Sequence, residues 1–120
     1  MSYADWRGRL LEAVDESLHP AAWIDGRIAD GTARFWENEG AAILAEVKVY
    51  PSGVREVHGL VAAGNLDSIM ALIPYAEQWG LNCGCTRATI QSSPAWGRLM
   101  AGAGYAPEQL IIMKDLARCR

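Results

Sequence analysis

Three ionisable side chains stand at positions from which they could carry acid–base chemistry. Glu46 lies in an alternating apolar and polar segment, and Glu56 and His58 lie in the next one. All three could therefore share one face of a β-hairpin. A carboxylate that holds an imidazole is the usual arrangement of a general base. The sequence favours the alternative, a cross-strand ion pair on a solvated face; if the chain is an enzyme, these three are its candidate catalytic residues.

The turn between the two segments fixes the register on which this hypothesis depends. The segments cover residues 42–50 and 54–63, and a short Pro-Ser-Gly turn joins them. A turn of this length predicts that apolar pairs lie on one face and charged pairs on the other, and a slip of one residue would destroy both sets. The predicted cross-strand pairs are Tyr50 with Val54, Lys48 with Glu56, Glu46 with His58, Val47 with Val57, and Ile43 with Val61.

A second candidate site follows the hairpin, where a strand turns directly into a helix. Gly64 and Asn65, with the backbone N–H groups of Leu66 and Asp67, could bind a small anion at the helix N-terminus. The alternative is a tight turn in which glycine supplies the conformation and Asn65 or Asp67 caps the helix. The turn is very short, and the Asp67 carboxylate would repel a phosphate. The sequence therefore favours the alternative.

The cysteines predict neither a disulfide framework nor a metal site. Cys83 and Cys85 are too close in sequence for an easy disulfide, and Cys119 lies in the tail. A closed zinc site needs four ligands, whereas His19 and His58 are far from these cysteines along the chain. We therefore expect reduced thiols and no bound metal.

Length and composition indicate one globular domain over residues 1–120. The chain is 51% hydrophobic and 21% charged, with a net charge of −3, which argues against disorder and against a nucleic-acid-binding surface. No apolar run approaches the ~20 residues of a membrane span, and the first residues do not resemble a secretory signal. The expected location is the cytoplasm, or a virion assembled there.

The elements that must position the candidate sites begin with an amphipathic helix over residues 3–18, which His19 and Pro20 end. Residues 21–31 fit either a short helix or a loop. An antiparallel meander follows, with a first strand over 33–36 and the two hairpin segments as its second and third strands. The meander is therefore expected to carry the candidate acid–base residues.

After the meander, the pattern predicts a right-handed crossover to a parallel strand. The crossover helix runs from residue 66 to about 81, and Pro74 should kink it or split it. A strand over 86–91, a helix over 94–101 and a last strand over 109–115 complete the pattern. The predicted fold class is α/β with a mixed sheet, in which an antiparallel meander feeds a βαβ crossover.

This order of elements resembles the GNAT-type N-acetyltransferase fold, over residues 32–116. In that family, the helix after the parallel strand ends in Leu-Tyr-x-x-x-Gly-Phe; here Leu99 stands for the leucine, and Gly104 with Tyr105 stands for Gly-Phe. The resemblance implies that residues 66–81 match the acetyl-CoA helix. It also implies cofactor contacts at Gly64, Asn65, Leu66 and Asp67, if an acyl-CoA binds.

Two departures distinguish the chain from that family pattern. The family holds the coenzyme A diphosphate in an (Arg/Gln)-x-x-Gly-x-(Gly/Ala) loop, whereas this chain has a short turn with one glycine, Gly64. The family's tyrosine, which commonly protonates the leaving thiolate, falls on Met100, and methionine cannot donate a proton. The resemblance therefore implies a GNAT-like scaffold without a cofactor.

The chain also resembles small GNAT-like proteins encoded by tailed bacteriophages. The similar pieces include Trp36, Pro94-Ala95-Trp96 and Lys114-Asp115-Leu116. Some relatives of that kind are virion components, so the resemblance implies a noncatalytic or degenerate protein with a structural or accessory role. The five tryptophans are consistent with a protein partner or self-association, because tryptophan is favoured at interface hot spots.

Two further functions remain open at this point. The first is an acetyl-CoA-dependent N-acyltransferase with an atypical diphosphate turn. The second is a regulatory module that binds another small ligand in the cleft between the splayed parallel strands.

Overall fold

A computed structural model describes residues 2–92 and 94–118 as helices packed on both faces of one β-sheet. The sheet has four strands in the order β1-β2-β3-β4. The first three are antiparallel neighbours, and β4 pairs with β3 in parallel, which confirms the predicted meander and crossover. The regular elements are α1 (Tyr3–Glu12), α2 (Ala21–Ala29), β1 (Ala33–Glu37), β2 (Ala41–Val49), β3 (Arg55–Gly64), α3 (Leu66–Asn82), β4 (Arg87–Ile90) and α4 (Pro94–Met100).

The predicted hairpin register is confirmed from the paired residues next to the turn as far as a β-bulge near the middle of β3. Glu46 lies opposite His58, Lys48 opposite Glu56, and Val47 opposite Val57. The register then shifts between Leu44 and Ala45, so that Leu44 pairs with Val61 and Ala45 with Gly59. Leu60 is the extra residue of β3. The predicted pair of Ile43 with Val61 is therefore wrong, because a bulge moves every later pair by one position.

Each face of the sheet carries its own apolar core. Helix α3 covers one face, and the N-terminal helices α1 and α2 cover the other. The core under α3 consists of Ala41, Ile43, Ala45, Val57, Ile69, Leu72, Ala76 and Cys85. The core under α1 and α2 consists of Trp6, Leu10, Ile24, Ala42 and Leu44.

The N-terminal helix is shorter than predicted and ends at Glu12 rather than at residue 18. Its side chains Trp6 and Leu10 are buried, as expected of one face of an amphipathic helix, but Leu18 is exposed. The Asp15 side chain accepts hydrogen bonds from the backbone N–H and the hydroxyl of Ser17. Such local side-chain bonds compete with the helical ladder, which explains the early end. The ambiguous segment that follows is the helix α2.

Helix α3 continues through Pro74, so the proline does not split it into two pieces. A proline removes one N–H and frees one carbonyl in the preceding turn. Pro74 lies on the exposed side of the helix, where water can satisfy that carbonyl, while Ile69 and Leu72 stay buried. The apolar packing of the buried side therefore outweighs the lost hydrogen bond.

The last predicted strand, over residues 109–115, is absent as a regular element from the described chain. Its apolar side chains are exposed, with Ile112 at 88%. A strand needs a neighbour for its backbone groups, and among the described residues this segment pairs with none. Cys119, which was expected to be a free thiol, lies outside the described residues.

Two features are absent from the described residues: a helix that could span a membrane and a cluster of metal-ligating side chains. Among residues 2–92 and 94–118, none of the helices is long and apolar enough to cross a membrane. The same part of the chain contains no group of three or more His, Cys, Asp or Glu side chains arranged to hold a metal ion.

Candidate active site

A cleft opens where β3 and β4 separate. The parallel ladder between them runs from Glu56 opposite Arg87 to Gly59 opposite Ile90 and ends there. Strand β3 continues to Gly64, paired only with β2 on its other side. Its edge after Gly59 therefore has backbone N–H and C=O groups that no described strand uses. The bulge at Leu60 lies next to this point, and a bulge bends the strand that contains it.

The cleft leads into a cavity of about 280 Å³ that is lined mostly by apolar side chains. Thr89, Gln91, Glu77 and Tyr105 supply polar groups at its wall. The apolar residues of its wall are contributed by the sheet and by α3, and they include Ile43, Ala45, Val57, Val61, Ala62, Ile69, Ile73, Ala76, Ala88 and Ile90. A cavity of this size and character can take a slender apolar ligand arm.

A chain of hydrogen bonds joins three side chains of the neighbouring strands. The Thr89 hydroxyl donates to Glu56 Oε2 over 2.8 Å, and His58 Nδ1 lies 2.9 Å from Thr89 Oγ1. We call this the Glu56–Thr89–His58 relay. Glu56 and His58 are 2% and 8% exposed. Two of the three predicted acid–base residues therefore meet, through a residue that the sequence analysis did not select.

The relay fixes the hydrogen-bonding state of the imidazole. A hydroxyl has one hydrogen, and Thr89 gives it to Glu56. His58 Nδ1 must therefore donate to Thr89, which leaves the lone pair of a neutral ring on Nε2. Burial lowers the pKa of His58 below the ordinary value of 6.5, and the nearby Lys48 acts in the same direction. The imidazole is therefore neutral at neutral pH, with its basic nitrogen free of the relay.

Glu56 is held as a carboxylate by several donors. Burial acts to raise its pKa, but hydrogen bonds from Thr89 and Tyr50 and the charge of Arg87 outweigh that effect and lower it. The Tyr50 hydroxyl donates to Glu56 Oε1 over 2.9 Å, and Arg87 Nε lies 2.8 Å from the same oxygen. Arg87 also pairs with Glu108. A buried carboxylate with this many partners serves as an anchor rather than as a base.

Glu46 has a different partner from the one predicted. It lies opposite His58 in the register, but its carboxylate forms a short ion pair with Arg27 of α2. No hydrogen bond between Glu46 and His58 occurs among the described contacts. The hypothesis of a Glu46–His58 pair is therefore replaced by an ion pair at Glu46 and a separate relay at His58.

The turn that joins β3 to α3 is tightly packed. Gly64 has φ +117, and a Cβ atom there would come within 2.2 Å of the Gly40 carbonyl oxygen. The Asn65 N–H donates to that oxygen, and the Asn65 side chain caps the helix by accepting from Ser68 N over 2.9 Å. The capping prediction for Asn65 is confirmed. At the helix start, the N–H groups of Leu66 and Asp67 have no partner within the helix.

Three tryptophans lie at the core under α3. Trp36 and Trp79 pack edge to face there, with ring centroids 5.6 Å apart, and Trp96 packs against the same core and also lines the cavity. Met100, which the resemblance sets in the place of the family's tyrosine, is buried. Burial raises the pKa of the Cys85 thiol, which disfavours a reactive thiolate.

Tyr105, which the sequence singles out only as part of a Gly-Tyr pair, lies in the cavity wall. Its hydroxyl donates to Glu77 Oε2 over 2.7 Å, and both residues line the cavity. Burial and this hydrogen bond raise its pKa. A phenol in that state holds its proton tightly and is a poor acid at neutral pH.

No protein-family model matches this sequence, and no curated protein matches it. The structure is similar to solved acetyltransferases. A predicted acetyltransferase from Clostridium acetobutylicum, solved with acetyl-CoA, has a TM-score of 0.69 at 10% identity over 88% of this chain and 78% of that one. A GCN5-related N-acetyltransferase from Ralstonia eutropha JMP134 has a TM-score of 0.67 at 20% identity, with 80% and 73% coverage. AAC(6')-Iy, solved with the bisubstrate analogue CoA-S-monomethyl-acetylneamine, has a TM-score of 0.61 at 18% identity, with 93% and 90% coverage.

The chain therefore has a GNAT-type fold, as its order of elements predicts. The expectation that it uses no cofactor is wrong in the light of these similarities, because two of the similar structures were solved with acetyl-CoA or a coenzyme A analogue. That expectation was based on the short turn at Gly64 and on Met100 in the position of the family's tyrosine. The cleft between β3 and β4 is a separate feature, and the shortness of that turn does not close it.

Proposed function

We propose that this GNAT-fold chain is an N-acyltransferase that transfers the acyl group of an acyl-CoA, such as acetyl-CoA, to an amine. The observation that carries the proposal is the cleft between β3 and β4, where the ladder ends at Gly59 and an apolar cavity begins. Thr89 lines the cavity and connects it to the Glu56–Thr89–His58 relay, whose neutral imidazole would accept a proton. The similar folds solved with acetyl-CoA or its analogue support the same activity.

The cleft fits the acyl and pantetheine portion of such a cofactor. That portion is a slender arm with two amide groups, and the free edge of β3 after Gly59 presents the backbone donors and acceptors that amides can pair with. Extended ligands commonly bind to an open strand edge in this way. The apolar wall of the cavity would then surround the acyl end of the arm.

The helix N-terminus offers a smaller contribution to binding. The N–H groups of Leu66 and Asp67, together with the dipole of α3, would attract the diphosphate. The exposed Asp67 carboxylate acts against this attraction. Most of the affinity is therefore expected from the arm in the cleft, and coenzyme A fragments that lack the arm should bind weakly.

His58 is the proposed general base. When the cofactor is bound, it supplies the acyl group as a thioester. The amine nitrogen attacks the thioester carbonyl carbon, a C–N bond forms, the C–S bond breaks, and the amine proton passes to His58 Nε2. Thr89 and Glu56 orient the ring through Nδ1, so that Nε2 keeps its lone pair.

The leaving thiolate receives no proton from a side chain in this scheme. Met100 cannot donate one, and the raised pKa of Tyr105 disfavours donation from its hydroxyl. A thiol has a pKa of about 8.5, so a thiolate can leave near neutral pH and take its proton from water.

Thermal unfolding of the whole chain with and without acetyl-CoA tests the proposal. At a ligand concentration of 100 times its Kd, binding should stabilise the fold by about 2.7 kcal/mol. The change Gly59→Val should abolish this gain, because its side chain would enter the cavity where Ile90 Cγ1 lies 3.4 Å from the added Cβ.

The matched control is Gly102→Val, where an added Cβ meets nothing within 4 Å. This variant should keep the full stabilisation by acetyl-CoA. Absence of any shift for the unmodified chain at millimolar acetyl-CoA would rule out the acyltransferase. In that event the noncatalytic virion or accessory role, which the sequence suggests through its bacteriophage resemblance, would become the better hypothesis.

A further inference from the structure

The innermost part of the cavity is bounded mainly by residues with small side chains or none. Gly59 of β3 has no side chain, and its neighbour across the hairpin is Ala45 of β2. Ala76 of α3 and Ala88 of β4 complete the wall together with Val57. We call the space between these five residues the inner pocket.

The inner pocket lies on the face of the sheet that α3 covers, whereas the relay lies on the other face. Val57 and Ala76 belong to the core under α3. Side chains alternate along a strand, so Gly59 faces the same way as Val57. Glu56 and His58 alternate with these two residues and face the opposite way. A ligand group in the inner pocket therefore does not compete for space with an amine that approaches His58.

The inner pocket is closed at one end and open at the other. A Cβ atom at Gly80 would lie 2.7 Å from the Val57 Cβ atom, so the backbone of α3 touches the sheet at the closed end. The open end is at Gly59, where the ladder between β3 and β4 stops at the pairing with Ile90. Between Gly59 and Val57 the strand advances by about 7 Å. The pocket is therefore short, and it begins where the cleft ends.

The polar groups near the inner pocket already have partners. The Tyr105 hydroxyl donates to Glu77 over 2.7 Å, and the Thr89 hydroxyl donates to Glu56. Apolar cavities exclude ordered water and accept apolar guests. Protein interiors contain few voids larger than a water molecule, so an apolar space of this kind indicates a ligand rather than a packing defect.

We propose that the inner pocket binds the tail of an acyl group longer than acetyl, so that the donor is a medium-chain acyl-CoA with about six acyl carbons. This inference rests on the proposed acyl transfer. With the arm along residues 60–64 of β3, the thioester would lie near Gly59 and the acyl chain would continue towards Val57. An extended chain advances about 1.2 Å per bond, so about 7 Å takes about six carbons. An acetyl group would leave most of the pocket empty.

Ala45 and Ala76 are the residues that set the acyl length in this proposal. They are 3% and 8% exposed, and they approach the pocket from opposite sides, Ala45 from the sheet and Ala76 from the helix. A larger side chain at either position would fill the pocket and shorten the acyl group that fits. It would leave the edge of β3 and the relay in place.

Equilibrium binding of a series of acyl-CoA compounds to the whole chain tests the inference. Each methylene that enters the pocket should lower the Kd about threefold to fourfold, which amounts to on the order of one-hundredfold between acetyl-CoA and hexanoyl-CoA. Decanoyl-CoA should bind no more tightly than hexanoyl-CoA, because the contact between Gly80 and Val57 stops a longer chain.

Ala76→Leu should remove about tenfold or more of the preference for hexanoyl-CoA, because its side chain occupies the space of the acyl tail. The Kd for acetyl-CoA should change by no more than about twofold. Ala71→Leu is the matched control, since Ala71 is exposed on the same helix, and it should keep the full preference. If Ala76→Leu does not fold, the series with the unmodified chain still decides.

The outcomes separate this inference from the proposed function. Binding of acetyl-CoA at least as tight as that of hexanoyl-CoA would overturn the inference and leave acyl transfer standing. Absence of binding for every member of the series would overturn both. Affinity that keeps rising through decanoyl-CoA, or a preference for hexanoyl-CoA that survives in folded Ala76→Leu, would show that the tail lies outside the inner pocket.

Discussion

Thr89 connects the two strands that bear the proposed chemistry. Its hydroxyl oxygen accepts a hydrogen bond from His58 Nδ1, and its O–H donates a hydrogen bond to Glu56 Oε2. No other residue among the described contacts joins these two side chains. Because one hydroxyl sets both the tautomer of the base and the anchoring of the carboxylate, Thr89 should matter more to activity than its ordinary appearance in the sequence indicates.

Removal of this hydroxyl should destabilise the fold. Thr89→Val keeps the shape of the side chain but leaves a buried N–H of His58 without an acceptor and Glu56 with one donor fewer. The expected loss in unfolding free energy is about 1–3 kcal/mol, measured by chemical denaturation at neutral pH. Thr89→Ser keeps the hydroxyl and should retain most of the stability. Equal stability of the two variants would contradict the relay.

The sequence predicts part of this site and misses the rest for a physical reason. Alternation along the hairpin is a local pattern, and it places Glu46, Glu56 and His58 on one face correctly. The selection of Thr89 needs the register of β3 against β4, which are separated by a helix of 17 residues. The ion pair of Glu46 with Arg27 likewise depends on how α2 packs on the sheet.

At the scale of elements, the packing of α3 against β3 determines where the cleft lies. Gly80 lets the end of α3 approach Val57, and a Cβ at Gly80 would lie 2.7 Å from the Val57 Cβ atom. This close contact holds α3 to the paired part of β3. The strands can then separate only beyond Gly59, towards the N-terminus of α3.

Gly80→Ala should therefore destabilise the protein, although alanine is the better helix former. Overpacking of this kind costs about 1–3 kcal/mol, against a gain in helix propensity of about 0.5–1 kcal/mol. Gly26→Ala in α2 is the matched control, since nothing lies within 4 Å of its added Cβ, and it should stabilise the protein. Thermal unfolding of both variants checks the prediction; a stabilised Gly80→Ala would show that α3 does not pack this closely.

Most elements follow from local sequence patterns, and the exceptions have identifiable causes. The four paired strands and α3 agree with their periodicity to within one or two residues. The early end of α1 comes from the hydrogen bonds of Asp15, and the bulge at Leu60 comes from the tertiary arrangement of the sheet. Residues 109–113 have a strand-like pattern, but a pattern cannot supply the neighbouring strand.

For the whole molecule, the fold and the cofactor hypothesis rest on different observations. The order of elements predicts the GNAT-type fold, and similarity to solved acetyltransferases at 10–20% identity agrees with it. The expectation of no cofactor was drawn from two local features, the short turn at Gly64 and the methionine at position 100. The cleft arises from the divergence of two strands, a property of the whole sheet that no single motif reveals.

Hydrogen exchange of β3 in the presence of ligand tests the central claim most directly, namely that the free edge of β3 binds the arm of an acyl-CoA. Acetyl-CoA should protect those amides of residues 60–64 that point away from β2, because the amides of the arm would pair with them. Adenosine 3',5'-diphosphate, which lacks the arm, should leave these amides unchanged. Failure of saturating acetyl-CoA to protect any amide in residues 60–64 would contradict the account.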